Sequence, residues 1–522
     1  MKHLNKIVLV ALAATMFSCD QDFDNPVEDI KVTAGEADFQ KYIALGNSLT
    51  SGYRDNALYR SGQENSYPNM LAGLMKAAGG GEFTTPYMPD DTGGFTNLGI
   101  KGKYVLQLVN GALTPVPTDA VNPLTPIPGD YQNMGVPGAK SYNLMQPGYG
   151  IPDPAGYLNG TKNPYFTRIA KSIPTSSIVG DAISQSPTFF SLWIGNNDVL
   201  GYATSGGLGI DQKGNKDVKT YNQYDISDPD LVKEEIEKVI IAMTGSAKKP
   251  KGVIANIPSV TSIPYFTTVP YAPLSPTNPS FAPMIDNLNK LYGGLNQFFD
   301  AAGVPERKIV FSKTAASAVV IKDKDLVDLS AQITAFLVAR AGFKPEVAKI
   351  LGESLGQARQ ATSKDLLVLT SSSVIGQPVV SQVQKYMAVG LSMEEAGMYS
   401  VAGISYPMAD NYVLTEKETS KVETAVVKYN TAISDLATKY NLALVDAYSE
   451  MKKLSSSSGI KYYGQTYTTT FVSGGAFSLD GVHLTGTGYA IVANMFADAI
   501  NRKYQSTLRH VYPGNYPGIV IP

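Results

Sequence analysis

Cysteine is almost absent: Cys19 is the only one in 522 residues, so no disulfide can form within the chain. Histidine is scarce, with His3, His483 and His510 alone, which leaves few candidates for a general base. Basic charge is not in surplus either. The 43 Lys and Arg stand against 45 Asp and Glu, for a formal net charge of -2, and this removes the electrostatic case for nucleic-acid binding. No apolar run reaches the roughly 18 residues that a membrane-spanning helix needs. What is present is a globular balance, 43% hydrophobic and 17% charged. Glycine (48), proline (32) and tyrosine (31) are plentiful, which predicts long ordered loops. This length calls for one large domain with insertions, or two domains.

The first residues form a pattern of their own. Lys2 and Lys6 precede the apolar run Ile7 to Phe17, and Ser18-Cys19 follows. A basic start, a short apolar stretch and a small residue before the cut describe a signal peptide. Met16-Phe17-Ser18-Cys19 resembles the bacterial lipoprotein box, which implies a leader over 1–18 and Cys19 as the lipidated first residue of the mature chain. The acidic residues Asp20, Asp22 and Asp24 are similar to the surface-export signal of Bacteroidetes lipoproteins. The implied location is the cell envelope, by lipid anchor at the outer membrane and exposed at the surface, with residues 19–37 as an acidic tether.

Hydrophobic spacing beyond the tether predicts an α/β fold. Tyr42 to Leu45, Thr188 to Ile194, Gly252 to Ile257 and Leu442 to Val445 read as buried strands, and Lys308 to Phe311 as a further one. Helices are expected from Tyr67, from Asp228-Pro229, over about 285–301, over 416–439 with Val422, Val426, Tyr429, Ile433 and Leu436 on one stripe, and over about 487–504. Tyr104 to Val109, Asn110-Gly111, then Ala112 to Thr114 reads as a β-hairpin outside the main sheet. Asn133 to Ala139 reads as a loop, and residues 314–400 as an insertion of helices with a short strand near Leu366 to Leu369. There are no internal repeats. The main domain spans 38–505, and residues 506–522 form a Pro/Gly tail.

Chemistry is concentrated at two places. Tyr42 to Leu45 ends at Gly46, and Ser48 follows, at the kind of sheet edge where α/β proteins put reacting groups. The bland alternative is that Ser48 caps a helix. A serine nucleophile needs a base. His3 falls in the leader and His510 in the tail, so His483 is the well-placed candidate. Asp480 precedes it by three residues, and a tight turn would bring its carboxylate to Nδ1.

Four blocks in order resemble the GDSL-type, or SGNH, hydrolase family: Gly46-Asn47-Ser48-Leu49, Asn133 to Gly138, Gly195-Asn196-Asn197-Asp198, and Asp480-Gly481-Val482-His483. The resemblance implies a three-layer α/β/α sandwich around a mostly parallel, flavodoxin-like sheet. It implies Ser48 as nucleophile, His483 as acid/base and Asp480 as its orienting partner. The oxyanion hole would be the N–H groups of Ser48 and Gly138 with the Asn197 amide, Gly135 being the other candidate glycine. Asp198 would hold its loop. The implied reaction is ester hydrolysis through an acyl-enzyme, by a lipase or acyl-esterase acting without metal or cofactor on a small-molecule, lipid or glycan ester. A carbohydrate acetylesterase, and a binding lipoprotein that kept the fold without the chemistry, are the alternatives. Two departures stand out. Asn47 occupies the place of the family's Asp, and insertions at about 82–130 and 314–400 enlarge the domain. Those insertions are expected to line or cover the site and to set substrate choice.

Overall fold

The computed structural model describes residues 31–109 and 111–522. The leader, Cys19 and the acidic start of the tether lie outside the described residues, as does Asn110 of the hairpin turn.

Five parallel strands form the central sheet: β1 (Tyr42–Gly46), β2 (Asn133–Gly135), β3 (Phe189–Trp193), β4 (Lys251–Ala255) and β5 (Ala443–Val445). Their order across the sheet is β5-β4-β3-β1-β2. Ala44 sits opposite both Asn133 and Ser191, which fixes the register of the three strands nearest the site. β1 and β3 are buried along their whole length, as uninterrupted apolar runs demand when both faces are covered.

Helices supply that cover. After the single turn α1 (Ser48–Ser51) come α2 (Tyr67–Ala77), α3 (Asn197–Thr204), α4 (Pro229–Thr244), α5 (Glu416–Lys439) and α6 (Gly486–Tyr504). α2 packs on α6 against one face, and α4 packs on α5 against the other, giving the α/β/α sandwich. Local chemistry starts these helices. Asp228 accepts the N–H groups of Asp230 and Leu231 ahead of Pro229 in α4, and Thr415 with Glu418 forms a capping box for α5. The spaced apolar residues of α5 are all buried. Residues after α6 fold back on it: Asn494 exchanges two hydrogen bonds with the backbone of Val511, at 2.8 and 2.9 Å.

A second hydrophobic core gathers residues between Val269 and Val413. It holds the helices Ile285–Ala301, Ser330–Ala341, Pro345–Leu355 and Val380–Ala388. It also holds two small antiparallel pairs, Val320–Lys322 with Ala358–Gln360, and Leu366–Leu367 with Val413–Leu414. Arg307, 1% exposed, is buried here without an ion-paired carboxylate among the described residues. Its guanidinium donates to the carbonyls of Val327, Leu355, Gly356 and Ala358 and lies over the Phe299 ring.

Two sequence expectations need correction. Asn133–Gly135 is an edge strand rather than a loop, because it pairs with β1. Lys308 to Phe311 is not a strand. Its ladder positions are taken by side-chain amides: Asn296 pairs with the Ile309 backbone and Asn289 with that of Phe311, all four bonds at 2.8 or 2.9 Å. The hairpin Tyr104–Val109 with Ala112–Pro117 stands apart from the main sheet, as its pattern indicated.

Candidate active site

The chain passes from β1 to β2 on one side and then crosses to β3 on the other side of β1. This reversal opens a crevice at the carboxyl ends of β1 and β3, the usual ligand position in an open α/β sheet. Ser48 lies two residues past β1, and Asn197 four residues past β3. The turn at Gly46 is so tight that a Cβ there would sit 2.1 Å from Thr50 Oγ1 and 2.5 Å from the Trp193 carbonyl. Only glycine permits α1 to fold back at this point. The cap of α1 is Asn47, whose Oδ1 accepts the Leu49 N–H at 3.2 Å. Ser48 is therefore the first helical residue, not the cap, and its own N–H has no acceptor inside the helix. Asn47 Nδ2 is buried with no partner among the described residues.

Tertiary folding brings residues 435 positions apart into contact. Ser48 Oγ lies 2.9 Å from His483 Nε2, and His483 Nδ1 lies 2.9 Å from Asp480 Oδ2. Burial opposes charge on Asp480, but the His483 ring and several hydrogen bonds outweigh it and hold the carboxyl well below the usual carboxylate range. Asp480 Oδ1 accepts the N–H groups of Val482 and His483, each at 2.8 Å, and Oδ2 accepts the Asn56 N–H at 2.8 Å. An ionised Asp480 fixes the ring proton on Nδ1 and leaves Nε2 free to accept from the Ser48 hydroxyl. The Tyr53 ring packs on the imidazole with centroids 4.7 Å apart. The arrangement can pass a proton from Ser48 to His483 and keep the resulting imidazolium paired.

The turn carrying Asp480 is held from a distance. Asp55 and Asn56 follow one another in the left-handed region, at φ 52° and 61°, a conformation that non-glycine residues adopt at a cost. There Asp55 N–H donates to Ser478 Oγ at 2.9 Å, Asp55 Oδ1 accepts the Leu479 N–H at 3.0 Å, and Asn56 N–H reaches Asp480. Asp55 is itself fixed by Arg54 and by the Tyr59 hydroxyl.

Donors converge near Ser48. Gly138, at φ 83°, is exposed at the crevice, and no acceptor among the described residues takes its N–H. Gly135 is buried in β2 with its N–H given to Asn133 Oδ1 at 3.1 Å. Asn197 Nδ2 donates one proton to the Ala139 carbonyl at 3.0 Å, which orients the amide. Both Gly138 and Asn197 line the same cleft as Ser48 and His483. Asp198 accepts from the N–H and hydroxyl of Ser141 at 2.8 and 2.9 Å and so anchors the Gly138 loop.

Two spaces meet at Ser48. A cleft of about 630 Å³ opens on one side, walled by Tyr142, Tyr149, Tyr157, Tyr165, Tyr221 and Tyr224 with several Asn and Gln side chains. A cavity of about 40 Å³ lies on the other, between Leu49, Leu200, Pro258, Val260, Ile263 and Val482. A further apolar cavity of about 80 Å³ lies behind Leu49, Pro258, Ile263 and Val482, which line both.

The insertions at 82–130 and 314–400 line neither the cleft nor the 40 Å³ cavity. The long insertion spends its apolar surface on the second core. It reaches the site from behind, where Leu369 packs close to Gly481. The same Gly481 carbonyl accepts the Tyr265 N–H at 3.0 Å. The walls come instead from residues 137–165 and 197–224, of which the sequence pattern singles out Gly138 and Asn197 among the lining residues. Their density of tyrosine and asparagine was the available signal. The Asp55–Asn56 clamp gave no signal at all.

No family model matches the chain, and no curated protein matches it. Among solved structures it is similar to a mutant acetyl-xylooligosaccharide esterase from Geobacillus, at 12% identity and a TM-score of 0.18, over 54% of this chain and 90% of that one. It is similar to the same degree to a catalytic mutant of an acetylxylan esterase from Geobacillus stearothermophilus, over 54% of this chain and 88% of that one.

Proposed function

We propose that the chain is a serine-dependent carboxylic-ester hydrolase that removes a short acyl group from a carbohydrate. The observation that carries this is the unbroken relay Ser48–His483–Asp480, two contacts of 2.9 Å at the sheet's switch point. In the first step Ser48 Oγ attacks the ester carbonyl while its proton passes to His483 Nε2. The oxyanion is held by the N–H groups of Ser48 and Gly138 and by Asn197 Nδ2, each worth roughly 3 kcal/mol of transition-state stabilisation. His483 then gives the proton to the departing alcohol oxygen. Water, deprotonated by the same ring, hydrolyses the acyl-enzyme.

The two spaces beside Ser48 support the finer reading. A cavity of about 40 Å³ suits an acetyl methyl and not a fatty chain. The larger cleft, rich in tyrosine and side-chain amides, suits a sugar alcohol, with rings to stack on and amides to meet hydroxyls. The test is hydrolysis of p-nitrophenyl acetate, butyrate and decanoate beside the Ser48→Ala variant. Turnover should fall steeply beyond butyrate, and Ser48→Ala should lose at least about 10⁴-fold. Equal rates in both proteins, with no labelling of Ser48 by a fluorophosphonate, would favour the binding-protein reading. The anchored location is part of the same proposal: Cys19→Ser should release the protein from the membrane fraction and abolish lipid labelling.

A further inference from the structure

The cleft has an uneven charge. Lys140, Lys162 and Lys219 line it, and no Asp or Glu does, in a chain whose formal charge is -2. The three lysines differ in how they are used. Lys140 is buried and its Nζ donates to the Asp225 carbonyl at 3.1 Å. Burial lowers its pKa, while the nearby Asp198 and Asp225 charges support the ammonium form. Those two carboxylates are fixed inside the wall beside it. Asp198 accepts from Ser141, and Asp225 from the Ile210 and Asn222 N–H groups and from Gln212. The Lys140 charge is therefore balanced inside the wall.

Lys162 and Lys219 are not balanced in this way. Lys162 donates to the Gly148 carbonyl at 2.9 Å, and neither ammonium forms an ion pair among the described residues. The acid nearest Lys219 in sequence, Asp217, accepts the Lys219 backbone N–H at 3.1 Å, and the acid nearest Lys162, Asp153, accepts the Ala155 N–H at 3.1 Å. The two segments that carry them face each other, since a Cβ on Gly160 would meet Gln223 Cβ at 3.7 Å. A low-dielectric wall with one sign of charge focuses its field into the cleft. The hydroxyls and amides among the remaining lining groups match sugar hydroxyls, and the tyrosine rings offer faces for sugar rings.

We propose that the alcohol half of the substrate is an acidic glycan, with its anionic group held between Lys162 and Lys219. This rests on the esterase reading above. Carboxylate and sulfate share the chemistry that two ammonium groups recognise, and the substrates in the test separate them.

The experiment compares kcat/KM on acetylated oligogalacturonate, acetylated sulfated galactan and acetylated xylo-oligosaccharide, with p-nitrophenyl acetate as a small neutral control. Wild-type protein should prefer one of the acidic esters by about tenfold or more, and raising salt from about 0.05 M to about 0.5 M should erase most of that preference. Lys162→Gln with Lys219→Gln should raise KM on the acidic ester about tenfold and leave p-nitrophenyl acetate and the xylan ester unchanged. Equal or better turnover of the neutral ester by wild-type protein would overturn the inference, as would an equal loss on all substrates in the double variant. Failure of the esterase reading has a different signature: no Ser48-dependent turnover of any ester, the control included. In that event, calorimetric titration of unesterified oligogalacturonate and of sulfated galactan into the wild-type and double-variant proteins still decides. Binding of either that weakens about tenfold in the variant supports the lysine site, and no binding of either overturns it.

Discussion

The two hydrophobic cores of this chain use their polar residues in opposite ways. In the sheet-centred core, Ser48, Asn197 and His483 meet at one edge around open space, with Asp480 buried behind the imidazole. In the second core polar groups are consumed internally. Arg307 is spent on four backbone carbonyls, and Arg359 bridges Asp323 and Asp365, bidentate to the latter at 2.7 and 2.8 Å. The difference teaches that the size of an insertion says little about its part in the chemistry. What matters is whether its polar groups are left with work to do at a shared surface.

The comparison can be sharpened by substitution, and after Ser48 itself the largest effect is expected at Asp480. Asp480→Asn would set an amide N–H₂ against a protein N–H whichever way it turned, since both carboxylate oxygens accept from the backbone. The expected loss in kcat on p-nitrophenyl acetate is about 10³ to 10⁴-fold. The same change should alter the acid limb of stability. A carboxyl whose folded pKa is depressed stabilises the fold above its unfolded value of roughly 4 and loses that contribution as pH falls below it. Urea midpoints measured from neutral pH downward should therefore fall less steeply in the variant. Asn197→Ala should cost about 10² to 10³-fold in kcat with KM little changed, the pattern of a donor used in the transition state.

The second core should behave in the reverse sense. Arg307→Met leaves four carbonyls without their donor, those of Leu355, Gly356 and Ala358 on buried residues, and a loss of about 3 kcal/mol in unfolding free energy is expected. Its specific activity, measured on folded protein well below the melting temperature, should stay at the wild-type level. A large fall in kcat would break the contrast and show that the second core holds the Gly481 turn more firmly than one leucine suggests. The smallest effect is expected at Ile263→Ala, which removes part of the wall between the 40 and 80 Å³ cavities. Relative kcat/KM for butyrate or hexanoate over acetate esters should rise several-fold.

The legibility of the molecule followed the range of the interactions. α4 and α5 could be read because their caps and apolar stripes are local, and β1 and β3 because both of their faces are buried. Asn133–Gly135 was misread because three polar or flexible residues form a strand only when a neighbour supplies the ladder. Lys308 to Phe311 was misread for the converse reason: its apolar pattern is real, but Asn289 and Asn296, far off on a helix, take its hydrogen bonds.

The sequence alone determined which residue types stood available: one usable histidine, an acid three residues before it, a serine after a buried strand, and glycines where turns had to be tight. These are matters of composition and short spacing. Only the tertiary structure decided the rest. Parallel strands meet through crossovers whose length carries no geometric information. The 2.9 Å contact between Ser48 and His483, the clamp of Asp55 and Asn56 on the Asp480 turn, and the lysine- and tyrosine-lined cleft therefore all depend on how the sheet is ordered.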